Sequence, residues 1–250
     1  THAMTDRAHN HVTAFLRRGG RVVADAECKV GRLPGLELLG EEGKGEFIGM
    51  LRELPPLPVR VKTDHIIWNV LGHAGAKYLV VVNDLRESGE YLGRWGRVRE
   101  KGSAQTVELA VNDSFPAHAL DMNARTELAT REDAGWRHLT FALGPAEGKI
   151  VMFAADVPKR VDVSLPRRDA RRGETVDVDI AVSGNGPVPG AIPCDVTITR
   201  PSGARCDSSG VRLLEGGRRT FSFVVPLNAE NGVWKVAVTE GATGTAGQAT

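Results

Sequence analysis

The chain has 250 residues, with 32 Lys and Arg against 31 Asp and Glu and a formal net charge of +1. That balance argues against a nucleic-acid or membrane-surface binder, since both show a one-signed patch. No apolar run reaches the roughly 18 residues of a membrane span, and the opening "THAMTDRAHNHVTAFLRRGG" lacks the long apolar core of a signal peptide.

The length allows one large domain or about two to three small ones. With 29 Gly, 13 Pro and many Val and Thr, the composition points to strands and turns. In chain order, the first element is a helix with Val12, Phe15 and Leu16 on one face, stopped by Gly19–Gly20. "RVVADAE" follows as a short strand. One α–β unit cannot bury a two-faced sheet, so the expectation is that the chain begins inside a domain whose earlier part is missing.

From about Gly43 the period changes to two. "GEFIGMLREL", "PVRVKT", "HIIWNVLG" and "KYLVVVND" read as strands with turn residues between them. After a polar stretch come "QTVELAV", "AHALDMN", "RTELAT", "RHLTFALG" and "KIVMFAA". "ADVPKRVDVSLP" reads as a linker into a second β module, which should be open to proteolysis near Pro158–Arg160. That module has well-marked turns at "SGNGP", "RPSG", "EGG" and "AENG". Trp234, Phe221 and Phe223 are assigned to its core, and "ATGTAGQAT" to a disordered tail. The predicted fold is mainly β. A short N-terminal α/β remnant at 1–42 precedes two antiparallel β-sandwich domains, at 43–157 and 158–242, the second immunoglobulin-like. Residues 243–250 form the tail.

Two stretches carry a family resemblance. "FLRRGG" and "VVAD" resemble the last helix–strand of the amidotransferase-like trimerisation domain of family 42-type β-galactosidases. "YLVVVND", "VELAV", "ALDMNARTEL" and "RHLTFALGPAEGKIVMF" resemble the C-terminal β-sandwich of glycosidase-like proteins, with Asp121–Met122–Asn123 at a hairpin position. The last module, with "RRGETVDVDIAV", "ITRPSG" and "NGVWKVAVTE", looks like macroglobulin-type or immunoglobulin-like domains of large bacterial surface proteins. The resemblance implies the C-terminal region of a bacterial glycoside hydrolase-like protein, with an extracellular or periplasmic setting favoured. It implies a catalytic barrel or a second copy of the chain as partner. In such glycosidases the catalytic carboxylates lie on a (β/α)8 barrel, and no such alternation is present, so no catalytic residue and no cofactor is assigned.

The polar stretch after "YLVVVND" offers the one candidate binding site. Tyr91 and Trp95 are apolar plates for sugar rings, and Asp84, Glu87 and Arg94 can hold hydroxyls, which makes carbohydrate the expected ligand. The competing reading has the two aromatics pin a long loop to the sandwich. Arg86, Arg94 and Arg97 hold the nearby carboxylates ionised, the wrong direction for a general acid. The seven histidines show no metal-site spacing, and His9 and His11 point to different helix faces. Three cysteines imply no closed disulfide framework. Cys194 and Cys206 bracket a strand and its turn. They either close a disulfide in an exported protein or stand as two buried small residues.

Overall fold

A computed structural model describes residues 5–25, 36–39, 49, 57–92, 97–186, 188 and 190–250. The chain divides into two units, Thr1–Leu57 and Pro58–Thr250. The predicted strand "GEFIGMLREL", apart from Gly49, and Cys28 lie outside the described residues.

In the first unit, helix α1 (Asp6–Arg17) is capped at both ends as its sequence dictates. The Thr5 hydroxyl accepts from the Ala8 amide. At the other end the Gly20 amide donates to Phe15 O at 3.1 Å and the Gly19 amide to Leu16 O at 2.9 Å. This pair of bonds requires the left-handed conformation of Gly19, φ +83°. The helix leads into β1 (Val22–Asp25), which pairs in parallel with β2 (Leu36–Leu39). The parallel pair is the signature of the expected α/β unit.

The described residues of the second unit form strands and turns without a helix, and the protein as a whole is mainly β. Its first part is a sandwich of two antiparallel sheets. One sheet holds β3 (Val59–Val61), β8 (Gln105–Asn112), β12 (Trp136–Leu143) and β11 (Thr130–Asp133), in the order β11-β12-β8-β3. The other holds β4 (Ile66–His73), β5 (Ala76–Asn83), β9 (His118–Asp121), β10 (Thr126–Glu127) and β13 (Gly148–Ala154), in the order β10-β9-β13-β5-β4. Period-two side chains from both sheets meet inside: Leu79, Val81, Val151 and Phe153 against Val107, Leu109, Leu139 and Phe141. Phe115 meets Phe153 edge to face with centroids 4.8 Å apart.

The second part is a seven-stranded sheet, β14 (Arg160–Ser164), β15 (Thr175–Ser183), β18 (Arg218–Val224), β17 (Gly210–Glu215), β16 (Ala191–Thr199), β19 (Lys235–Glu240) and β20 (Ala246–Ala249), in that order. β17 and β18 pair only at Glu215–Arg218, so the sheet folds over there into three strands facing four. Its edges come together again. A Cβ on Gly247 of β20 would lie 2.1 Å from Val161 O of β14. Val178, Ile180, Val196, Ile198, Phe221, Phe223 and Val238 fill the interior. Trp234 packs against this core half-buried, and its indole N–H donates to Glu230 O at 3.1 Å.

Two expectations need correction, and one open alternative is decided. First, the segment taken as a linker is tied down at both flanks. Pro158 is buried, the Asp156 carboxylate accepts from Val157 and Gly186 amides at 2.8 and 3.0 Å, and the Lys159 amide donates to Ser183 O at 2.9 Å. The reason is that the five-stranded sheet is apolar on both faces. Ala76, Leu120, Met152 and Ala154 point away from the first interior and join the core of the second sandwich. The Tyr78 hydroxyl donates across the junction to Ala191 O. Its pKa is pushed up to about 12 by burial and by Cys194. The two backbones come so close that a Cβ on Gly190 would lie 2.8 Å from Ala76 Cβ.

Second, the tail is ordered through strand β20, which pairs with β19 from Val236↔Ala249 to Thr239↔Ala246. It needs no apolar side chains, because backbone pairing and the buried Glu240 carboxylate hold it. Of the two alternatives for Cys194 and Cys206, the structure has the buried small residues: both are free thiols. The Cys206 amide bonds Ile198 O, and Ile198 lies four residues along β16 from Cys194. That spacing separates the two by about 13 Å, beyond the reach of a disulfide. Burial, and then Glu240, pushes the Cys194 thiol up to about 12.

Candidate functional site

The polar stretch chosen from sequence is a β-hairpin. β6 (Arg86–Leu92) and β7 (Arg97–Gly102) form their own two-stranded sheet, with an irregularity between Ser88 and Tyr91. Its base is fixed by Asn83, only 2% exposed. The Asn83 amide nitrogen donates to Ser103 O and Gly144 O at 2.8 Å each, and its oxygen accepts from the Leu85 amide at 3.0 Å and Gln105 at 2.7 Å. Both donors and both acceptor positions of this buried amide are thus used, tying the hairpin stem to β8 and to the turn after β12. Asp84 pairs with Arg86 at 2.8 Å, and Arg86 also holds Glu100 at 2.6 Å. Glu87 accepts from the Ser103 hydroxyl at 3.4 Å. Tyr91 is paired with Val98 in the hairpin register, while Arg94 and Trp95 lie outside the described residues.

The buried carboxylates lie elsewhere and serve structure. Asp121, on β9, pairs with Lys149 on β13 inside the first sandwich, while its other oxygen accepts from Asn123 and Ala124 amides at 2.9 and 3.1 Å. Burial alone would raise the Asp121 carboxyl; the Lys149 ammonium and the two amides outweigh it and hold the pKa below the usual carboxylate range. Glu240 is fully buried. Its carboxylate accepts from the amides of Ala242 and Thr243 at 2.7 Å each, from the Thr245 amide at 3.1 Å, and from the Thr243 hydroxyl. Among the described residues, Glu108, Asp121, Asp156 and Glu174 are the carboxyl groups with displaced pKa values, and all four are lowered. Lys62 lowers Glu108, the Gly186 amide lowers Asp156, and the Arg171 amide lowers Glu174. A glycosidic general acid needs the opposite shift.

Among the described residues, two concave surfaces exceed about 700 Å³. The first lies on the outer face of the four-stranded sheet, a trough of about 720 Å³ lined by Arg60, Ala110, Arg131, Trp136 and His138 among others. The strand register sets Arg60, Ala110, His138 and Arg131 side by side across the strands. The Arg60 guanidinium lies 3.8 Å from the Trp136 ring centroid, so one face of this indole already holds a cation.

The second is a cleft of about 770 Å³ at one end of the seven-stranded sheet, between residues 165–172 and 229–234. Val176, Phe223, Val225 and Val236 form its apolar lining, and Trp234 stands at its side. Arg167, Arg168, Arg171 and Arg172 line it from "LPRRDARRGE". Glu174 shapes that segment by accepting from the Arg171 amide at 2.8 Å and the Arg167 guanidinium at 2.5 Å. Across the cleft, both carboxylate oxygens of Glu230 accept from Ser202 at 2.8 Å, so this acid is occupied. Sequence reasoning placed Trp234 in the core and passed over the arginines, because overall charge balance hides a local cluster. The doubled pair "RRDARR" was the available signal.

No family model matches the chain, that of the family 42 β-galactosidases included. No curated protein matches either. Among solved structures, the chain has a distant likeness to Bacteroides uniformis β-glucuronidase 2 covalently bound to cyclophellitol-6-carboxylate aziridine, at 10% identity and a TM-score of 0.23. The match covers 76% of this chain and 32% of that one, so the chain spans about a third of the length of that glycosidase.

Proposed function

We propose that the chain is a non-catalytic accessory region of a glycoside hydrolase-like protein, a rigid support or spacer for a catalytic barrel carried elsewhere. The module order read in the sequence motivates this assignment, with an immunoglobulin-like sandwich following a glycosidase-type one. The observation that carries it is the core shared by the two sandwiches, in which Leu120, Met152 and Ala154 of the first pack among Val178, Ile192 and Val196 of the second. A support of this kind needs a fixed angle between its parts, and a continuous apolar core supplies one. The lowered carboxyl groups and the structural employment of Asp121 and Glu240 agree with it.

The purified chain is expected to leave aryl glycosides unhydrolysed across a panel of sugars. Hydrolysis abolished by replacing a single carboxylate would overturn the reading.

A second reading, carbohydrate binding, is favoured by the arginine-lined cleft. It combines an aromatic side wall, an apolar lining and polar groups in one recess, the usual composition of a sugar site. The hairpin of residues 84–101 stays a further candidate through Asp84, Glu87 and Tyr91.

A further inference from the structure

We propose that the cleft between residues 165–172 and 229–234 binds oligosaccharides that carry carboxylates; this rests on the carbohydrate-binding reading and names its ligand class. The argument begins with charge. Four arginines line the cleft against two acidic side chains, Asp169 and Glu230. Glu230 is held on both oxygens by Ser202, and Glu174 outside the cleft forms an ion pair with Arg167 and also feels the charge of the neighbouring Arg171. Arg168 and Arg171 are exposed and form no salt bridge among the described residues, and Arg172 makes only a long contact of 3.4 Å to Asn231. The recess is therefore cationic although the chain is nearly neutral. A guanidinium presents a planar fork that fits a carboxylate with two parallel hydrogen bonds.

The lining supplies the rest of the recognition. Val225, Phe223 and the half-buried Trp234 line the same cleft, and the Trp234 ring is fixed by its bond to Glu230 O. A uronate ring matches that arrangement, because it joins an apolar C–H face to a carboxylate on its rim. A neutral sugar would leave the arginines without a partner. An anionic bilayer would find the exposed apolar residues Leu227 and Val233 nearby, 80% and 66% accessible, but a flat surface cannot fill a recess of about 770 Å³.

The test is calorimetric titration of the full chain with polygalacturonate, alginate and hyaluronan oligomers, using methyl-esterified polygalacturonate as the charge-masked comparator. Phosphatidylglycerol vesicles form a separate arm. At least one acidic oligomer should bind in the micromolar to millimolar range, at least about tenfold more tightly than a charge-masked form, and more weakly as salt rises. The variant Arg168→Ala/Arg171→Ala should lose about tenfold in affinity at an unchanged melting temperature, since both side chains are exposed. Equal affinity for acidic and esterified oligomers would overturn the carboxylate assignment and leave carbohydrate binding standing. Binding to vesicles alone, or to nothing offered, would overturn both. Neither outcome touches the accessory reading, which the hydrolysis assay decides.

Discussion

Replacing Lys149 by methionine should destabilise the protein by about 3–5 kcal/mol, the cost of leaving a buried carboxylate without its cation. Asp121 has a side chain only 3% exposed and Lys149 11%, so water cannot take over the lost role. The pH dependence carries a sign. The folded-state pKa of Asp121 is lowered, so its ion pair contributes stability above the unfolded carboxyl pKa, about 3.9. That contribution disappears as pH falls through the lowered folded value. The difference between parent and Lys149→Met in urea midpoint should therefore be largest near neutrality and shrink in acid. Adding Asp121→Asn to the variant should recover much of the loss, because an amide at that position carries no uncompensated charge. A penalty that stays constant from neutral to acid pH would contradict the role assigned to the pair.

The second large effect is expected for Glu240→Ala. The substitution strips acceptors from the buried Ala242 amide and from the amides of Thr243 and Thr245. An orphaned buried amide costs about 1–3 kcal/mol; Ala242 is buried, Thr243 is half-buried, and the Thr245 amide keeps a long bond to the Thr243 hydroxyl, so a loss of about 2–3 kcal/mol is expected. The damage should be local in character. Strand β20 is held by β19 pairing and by this turn, so hydrogen exchange at residues 246–249 should accelerate before that at β16. Glu240→Gln keeps one acceptor oxygen but turns a donor towards the amides, and should fall between the two.

The sequence disclosed local structure best. Gly19–Gly20 mark the end of α1 because a cap depends on the residues beside it. Phe221 and Phe223 were assignable to the core from alternation alone, and both are 8% exposed. Strand β2 was passed over because its partner β1 lies across a connection and nothing in "LELL" announces parallel pairing. Strand β20 was hidden because its order comes from backbone bonds and from one distant-looking acid, Glu240, rather than from apolar side chains. The supposed linker failed for a reason that was visible in principle. "IVMFAA" is apolar without alternation, the mark of a strand buried on both faces, and it calls for a second layer. The arginine cleft could not be read, since residues 165–172 and 229–234 meet only in the folded sheet.

That double-sided burial is the centre of the account, because a support must hold its two sandwiches at one angle. Native-state hydrogen exchange on the full chain, with denaturant raised stepwise below the unfolding midpoint, measures it directly. The core amides of β5 and β13 in the first sandwich and of β16 and β19 in the second should converge on one opening free energy and one denaturant dependence. Residues 155–159 should resist proteolysis until that opening occurs. Separate opening of the β14–β20 sheet at a markedly lower free energy, with cleavage near Pro158–Arg160 under native conditions, would contradict the shared core and the rigid-support function drawn from it.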